Sequence, residues 1–161
     1  MNYEFEPYER LWNRALWYLG RRDYSAKELR DKLLRQRPNK PLVNEEDIEI
    51  CMARLLELNL LDDERYAQRL AESYARKGYG QRGINQQLYR RGLSEEVPAL
   101  AQEDPERLAE LLQSPTFARK LADPNKHKAV FAALLRKGFR HSDVRTAMQD
   151  YIEGIDEYAD D

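Results

Sequence analysis

Two stretches of this chain align with each other without a gap: RRDYSAKELRDKLLR at 21–35 and RKGYGQRGINQQLYR at 76–90. Arg21 pairs with Arg76, Arg22 with Lys77, Tyr24 with Tyr79, Lys27 with Arg82, Leu29 with Ile84, Leu33 with Leu88 and Arg35 with Arg90. A third copy is visible where LYRRGL at 88–93 matches LLRKGF at 134–139. Self-similarity at a spacing of about fifty residues restricts the chain to repeat architectures, because each unit is too small to bury its own apolar face and must share core with a neighbour.

The period within each unit is helical. Ile48, Cys51, Met52, Leu55 and Leu56 fall at i, i+3, i+4, i+7 and i+8, as do Leu11, Ala15, Tyr18 and Leu19 nearer the start. Tyr66, Leu70 and Tyr74, then Leu108, Leu111 and Leu112, then Val144, Ala147, Met148 and Tyr151 extend the pattern. Ser25 with Glu28 reads as a capping box, Asn44 stands before an acidic first turn, and Asp62 or Asp63 opens the next helix. Ser94 before Glu95 and Glu96 suggests a further start, and Ser142 or His141 the last. Gly92 and Gly138 each follow a basic pair, as a helix C-terminus favours. The expected fold class is all-α: three tandem three-helix repeats forming an elongated, curved, right-handed-type helical array. The repeats are expected at 8–60, 61–103 and 104–152, with a disordered acidic tail at 153–161.

Net charge is −2, which taken alone argues against a nucleic-acid partner. The last twelve residues hold six acids and no base, and without them the chain carries 27 bases against 23 acids. The sign then alternates in blocks: ten bases and three acids over 10–40, eight acids and one base over 44–64, five bases and no acid over 76–92. Residues 94–115 hold six acids and one base, and 116–140 hold seven bases and one acid. The basic blocks fall at equivalent repeat positions, which points to a basic face formed by the middle helices. Its candidates are Arg21, Arg22, Lys27, Lys32 and Arg35; Arg76, Lys77, Arg82, Arg90 and Arg91; and Lys126, Lys128, Arg136, Lys137 and Arg140. Such cations attract phosphates with strong salt dependence, and suit acidic patches on a protein equally well. Tyr24 and Tyr79 between them could stack on bases, although such residues more often pack over the turn they follow.

Several chemistries are excluded. Asp62, Asp63 and Glu64 fit helix caps and dipole partners better than metal ligands. His127 and His141 have no second ligand at metal spacing. There is no nucleophile–base constellation and no phosphate-cradling glycine loop, and Gly78-Tyr79-Gly80 is too short to be one. No cofactor is expected. Cys51, the single cysteine, lies on an apolar stripe and reads as core. Of Trp12 and Trp17 at least one should be buried, and an exposed one would suit a partner contact. The acidic start MNYEFEPYER is no signal peptide, no apolar run approaches a bilayer span, and a cytoplasmic monomer is expected.

Two stretches are more specific than periodicity. The first is Leu60-Leu61-Asp62-Asp63-Glu64-Arg65-Tyr66-Ala67; the second is Arg76-Lys77-Gly78-Tyr79-Gly80 followed by Ile84, Leu88 and Gly92. Together with Leu16, Leu19, Arg22-Asp23-Tyr24-Ser25, Glu28, Leu29, Lys32 and Leu33 they resemble the RecX regulatory proteins. Asn59 stands where that family usually has glycine, and asparagine tolerates the left-handed turn required there. The resemblance runs over about 10–152, strongest from 60 to 93 and weakest from 104 to 130. It implies a non-enzymatic partner of the RecA–DNA filament that lodges in its groove, inhibits ATP hydrolysis and strand exchange, and modulates recombination, repair and the SOS response. DNA would then be approached through the filament. The alternative is a regulator that reads duplex DNA with its basic helices in helix-turn-helix fashion.

Overall fold

The structure, a computed structural model, describes residues 4–94 and 98–159. It is all-helical among the described residues, with nine α-helices: α1 (Tyr8–Leu19), α2 (Ala26–Leu34), α3 (Glu45–Glu57), α4 (Asp63–Arg76), α5 (Gln81–Arg90), α6 (Asp104–Gln113), α7 (Pro115–Leu121), α8 (His127–Arg136) and α9 (His141–Ala159). A 3-10 turn at Pro124–Lys126 precedes α8, and one isolated bridge joins Phe5 to Leu42. The helices form two compact units. One holds the chain up to Arg69 and the segment from Leu88; the other holds Leu70–Gln87 and the chain from Pro98 onward.

In the first unit α1, α2 and α3 pack around Leu11, Ala15, Leu29, Leu33, Ile48, Cys51, Met52 and Leu55, with Leu61 closing the core. The α1 and α3 stripes read from the sequence are these buried faces, with Tyr18 and Leu19 half-buried against them and Leu56 half exposed at the edge; on α4 the buried residues are Ala67 and Ala71, next to the expected Tyr66, Leu70 and Tyr74, which are half-buried. The Ser25–Glu28 capping box forms in full, and Asn44 Oδ1 accepts from the Glu46 amide at 2.9 Å. Asn59 turns the chain with φ 54°, the left-handed conformation expected at that site. Ahead of α1, Glu6 is buried between Arg14 at 3.3 Å and Arg37 at 2.7 Å, and Arg14 also donates to the Leu33 carbonyl. Two bases of the first basic block therefore hold the N-terminal segment in place and are not available to a partner.

In the second unit the core is Leu108, Leu112, Leu121, Val130, Leu134, Phe139, Val144 and Met148. Three details depart from the sequence reading. Residues 104–152 hold four α-helices where three were expected: Ser114 is extended and Pro115 begins α7, because the residue before a proline is kept out of the helical region. A helix starting at Ser94 was expected to complete the second repeat. Glu95 and Glu96 lie outside the described residues, and 98–103 are not helical. Pro98 contributes no amide donor, and Asp104 already begins α6. The acidic end, expected to be disordered, continues α9 to Ala159. Its acids are spaced along a helix whose Ala147, Tyr151, Ile155 and Tyr158 keep one apolar edge, and Gln149 donates to Glu153 one turn on.

Candidate nucleic-acid and partner interface

Two of the basic helices, α2 and α5, are held at their N-termini by a junction that occurs once in each unit. In the first, Asp63 at the start of α4 accepts from the Ala26 amide, the first of α2, at 2.9 Å. The Ser25 hydroxyl donates to the Arg91 carbonyl, and Gly92 lies against the stem of Lys27. In the second, Asp104 at the start of α6 accepts from the Gln81 amide, the first of α5, at 3.1 Å. The Gly80 amide donates to the Lys137 carbonyl at 2.9 Å, and Gly138 lies against Gly83. Ser25 and Gly80, Ala26 and Gln81, Arg91 and Lys137, Gly92 and Gly138 are the residues the repeats align. Each aspartate answers an amide that a helix start leaves without an intrahelical acceptor. Gly80 and Gly138 admit the approach of a second backbone, and Gly92 admits the Lys27 side chain. A Cβ on Gly80 would stand 2.5 Å from the Phe139 nitrogen, and one on Gly92 2.7 Å from Lys27 Cδ.

Around the first junction, Arg22 stacks 3.6 Å over Tyr24 and reaches Glu28 at 3.4 Å. Arg91 approaches the same carboxylate at 3.9 Å, so the structure brings Arg22 and Arg91 together on one acid. Burial pushes the Tyr66 phenol up, Glu28 adds to that, and Arg91 and Arg22 oppose it. Arg21 lies 4.7 Å over Trp17, Lys27 pairs with Asp31 at 2.9 Å, and Lys32 is 5.8 Å from the Tyr18 ring. Arg35 and Arg90 are exposed. Around the second junction, Lys137 lies 4.6 Å over Tyr79 and donates to the Lys77 carbonyl at 3.0 Å, while Lys77 sits 5.2 Å over Tyr74. Lys77 and Lys137 are thus brought together above a tyrosine pair whose rings meet edge to face at 4.9 Å. Arg76, Arg82, Lys126, Lys128, Arg136 and Arg140 are exposed.

The tyrosines belong to the packing. Tyr24 is only 8% exposed and meets Tyr18 edge to face, so neither face is free for a base. Tyr79 is half-buried between Tyr74 and Lys137. Asp62 caps α4 by accepting from the Arg65 amide at 3.0 Å, while the Arg65 side chain is exposed. Leu61 is core, and Gly78 takes φ 81° in the turn leading to Gly80. Among the described residues no group of acids, histidines or cysteines has the arrangement of a metal site. His127 meets the Leu121 carbonyl and His141 packs on Phe131. Trp12 packs on the first core, whereas Trp17 is exposed under Arg21.

Sequence reasoning missed three contributors. Asp104 and Arg107 complete the second junction, with Arg107 donating to the Tyr79 carbonyl and pairing with Asp104 at 2.9 Å. Burial lowers the Arg107 guanidinium from its ordinary value, and Asp104 opposes that. Aligning Asp63 with Asp104 as the residues that begin α4 and α6 would have found the pair. Tyr89, 72% exposed on α5 between Arg82 and Arg90, left no signal beyond its position on the polar side of that helix.

The Asp63 junction makes a prediction. Burial pushes the Asp63 carboxyl up, the Ala26 amide opposes this, and the charges of Asp62 and Glu28 add to it. With its folded pKa above its unfolded one, Asp63 favours the folded state most at low pH, and that contribution declines as pH rises through the carboxylate range. Asp63→Asn keeps the acceptor and removes the charge. It should leave neutral-pH stability unchanged or raised in urea denaturation, with the advantage vanishing towards acid. Asp63→Leu leaves the Ala26 amide unanswered and should cost about 1–2 kcal/mol.

The comparisons agree with this architecture. Residues 12–39 match the family description "RecX, first three-helix domain" and residues 62–98 match "RecX, second three-helix domain". A regulatory protein RecX of Salmonella paratyphi A is 30% identical over 156 residues, covering 91% of this chain and 94% of that protein. One of Cronobacter sakazakii is 42% identical over 92 residues, covering 54% of this chain and 56% of its own length. The crystal structure of RecX from Lactobacillus salivarius superposes with a TM-score of 0.65 at 27% identity, over 89% of this chain and 95% of that one. A second RecX crystal structure, at 23% identity, TM-score 0.67, 89% of this chain and 71% of its own, supports the fold alone. Similarity over nearly the whole length, with both matched domains falling on the helices that build the two junctions, makes this chain a member of the RecX family of regulatory proteins.

Proposed function

We propose that the chain binds the RecA–DNA nucleoprotein filament in its helical groove and restrains ATP hydrolysis and strand exchange, acting without catalysis of its own. Family membership over nearly the full length carries this reading. The basic residues support it. Arg82, Arg90, Lys128 and Arg136 are exposed and make no ion pair among the described residues, so their charge is free to meet phosphates or acidic protein surface. The ammonium groups of Lys77 and Lys137, held over Tyr74 and Tyr79, add charge to this support. Division into repeats at 8–60, 61–103 and 104–152 is part of the same proposal, and the twice-used junction supports it.

A helix-turn-helix reader works differently. It presents the N-terminal residues of a recognition helix to the major groove. Here the first amides of α2 and α5 are bound by Asp63 and Asp104, and Ser25 and Gly80 are buried under the Arg91 and Lys137 turns. The ends that would read bases are covered, and the filament reading is preferred. No helix among the described residues is long and apolar enough to cross a membrane. The test is RecA assembled on single-stranded DNA, with ATP turnover and strand exchange followed as the chain is added. Suppression near stoichiometry is expected, and unchanged rates at excess would defeat the proposal.

A further inference from the structure

α9 has 19 residues and α6, which packs along it, has 10. At about 1.5 Å per residue, α9 outruns its partner by some 13 Å. Where the two run together, a groove of about 300 Å³ separates Pro105, Ala109 and Leu112 on α6 from Ala147 and Tyr151 on α9, with Asp143 and Asp150 also on its α9 wall. The apolar edge of α9 continues past this groove. Ala147, Tyr151, Ile155 and Tyr158 follow one another at i, i+4, i+8 and i+11, and Ile155 and Tyr158 are 48% and 87% exposed. Beside that edge, Asp143, Asp150 and Glu157 recur every seven residues, which puts them on one flank. On the other side of the groove α6 exposes Glu106, while Glu110 turns away to accept from Gln102. From Met148 to the end of the chain there is no basic residue, and the one base of α9, Arg145, lies on the far side of the helix.

An apolar seam bordered by Asp143, Asp150 and Glu157 on α9 and by Glu106 on α6 specifies its occupant by charge. Nucleic acid and anionic lipid are repelled. What fits is a helix with its own apolar seam between lysines or arginines, laid along α9 as one strand of a coiled coil lies along another. We propose that the α6–α9 groove and the overhanging half of α9 form a docking site for a basic amphipathic helix of a protein partner. This site is independent of the basic residues assigned to filament binding, so the two readings fail separately.

The probe is a fluorescein-labelled synthetic helix of about 18 residues with leucines at i, i+4, i+7 and i+11 and lysines on both flanks. Its counterpart has glutamate at every lysine. Anisotropy with the full-length chain should show saturable binding of the lysine peptide and none of the glutamate peptide. Asp150→Lys with Glu157→Lys should weaken binding about tenfold, and so should Ile155→Ser with Tyr158→Ser. Asp156→Lys, on the opposite side of α9, should leave it unchanged. Far-UV circular dichroism confirms that these exposed substitutions keep the helix. Equal binding of the two peptides, or affinity indifferent to both α9 variants, overturns the proposal. Dimerisation of the chain alone that Tyr158→Ser abolishes also overturns it, by making a second copy the occupant.

Discussion

Gly138→Ala is expected to destabilise the second unit by about 3 kcal/mol or more. Two costs add. Gly138 holds φ 92°, a conformation that a residue with a side chain enters only under strain. A Cβ there would also overlap the Gly83 amide nitrogen and stand 2.5 Å from its Cα, and both are backbone atoms that no rotamer change can move. The neighbouring contact cannot yield either, since a Cβ on Gly83 would overlap the Lys137 carbonyl oxygen. α5 would be pushed off the α8–α9 turn, and the Gly80–Lys137 and Gln81–Asp104 hydrogen bonds would go with it. Urea denaturation followed by circular dichroism measures the loss. Gly154→Ala is the matched control: it lies inside α9, a Cβ would meet nothing within 4 Å, and helix propensity alone should raise stability by about 0.5–1 kcal/mol. A loss below about 0.5 kcal/mol for Gly138→Ala would mean that the glycine contact is not what docks α5.

The second large effect concerns binding. Reversing Arg82, Arg90, Lys128 and Arg136 to glutamate should weaken association with the RecA filament by tenfold or more while leaving the fold intact. All four are exposed and unpaired among the described residues, and solvated charges contribute little to stability. Each base that meets a phosphate also releases counterions, so the variant should show a shallower dependence on salt than the parent. Arg91 is kept out of this set because it approaches Glu28 at 3.9 Å; a glutamate there would face a half-buried carboxylate and confound binding with folding. Anisotropy of labelled chain on preformed filaments, at low and moderate salt, reads both quantities.

What the sequence disclosed, and what it withheld, follows from the range of the interactions involved. Helix class, the apolar stripes, the Ser25–Glu28 box and the Asn44 cap are local: they depend on residues within a turn or two of each other, and periodicity exposes them. The alignment of 21–35 with 76–90 identified equivalent positions correctly but gave no hint of their partners. Asp63 reaches back 37 residues to Ala26, and Asp104 reaches 23 to Gln81. Gly92 and Gly138 were legible as helix ends, yet their second role, admitting the Lys27 side chain and the Gly83 backbone respectively, depends on chain that arrives from far away in sequence. The basic residues were found as a composition. Seven of them, Arg21, Arg22, Lys27, Lys32, Lys77, Arg91 and Lys137, are held against aromatic rings or carboxylates, a distinction that no charge count makes. The acidic end was misread because its charge was weighed without its spacing: Tyr151, Ile155 and Tyr158 keep the helical stripe going through it.

The most direct measurement is a titration of RecA filaments on single-stranded DNA with the parent chain and with the fourfold reversed variant, reading ATP hydrolysis from the same filament preparation. The parent should suppress turnover near one chain per few RecA subunits, and the variant should need about ten times as much, matching its weaker binding. Undiminished turnover at excess parent chain, or two curves that coincide, would contradict the assignment of these bases to the filament.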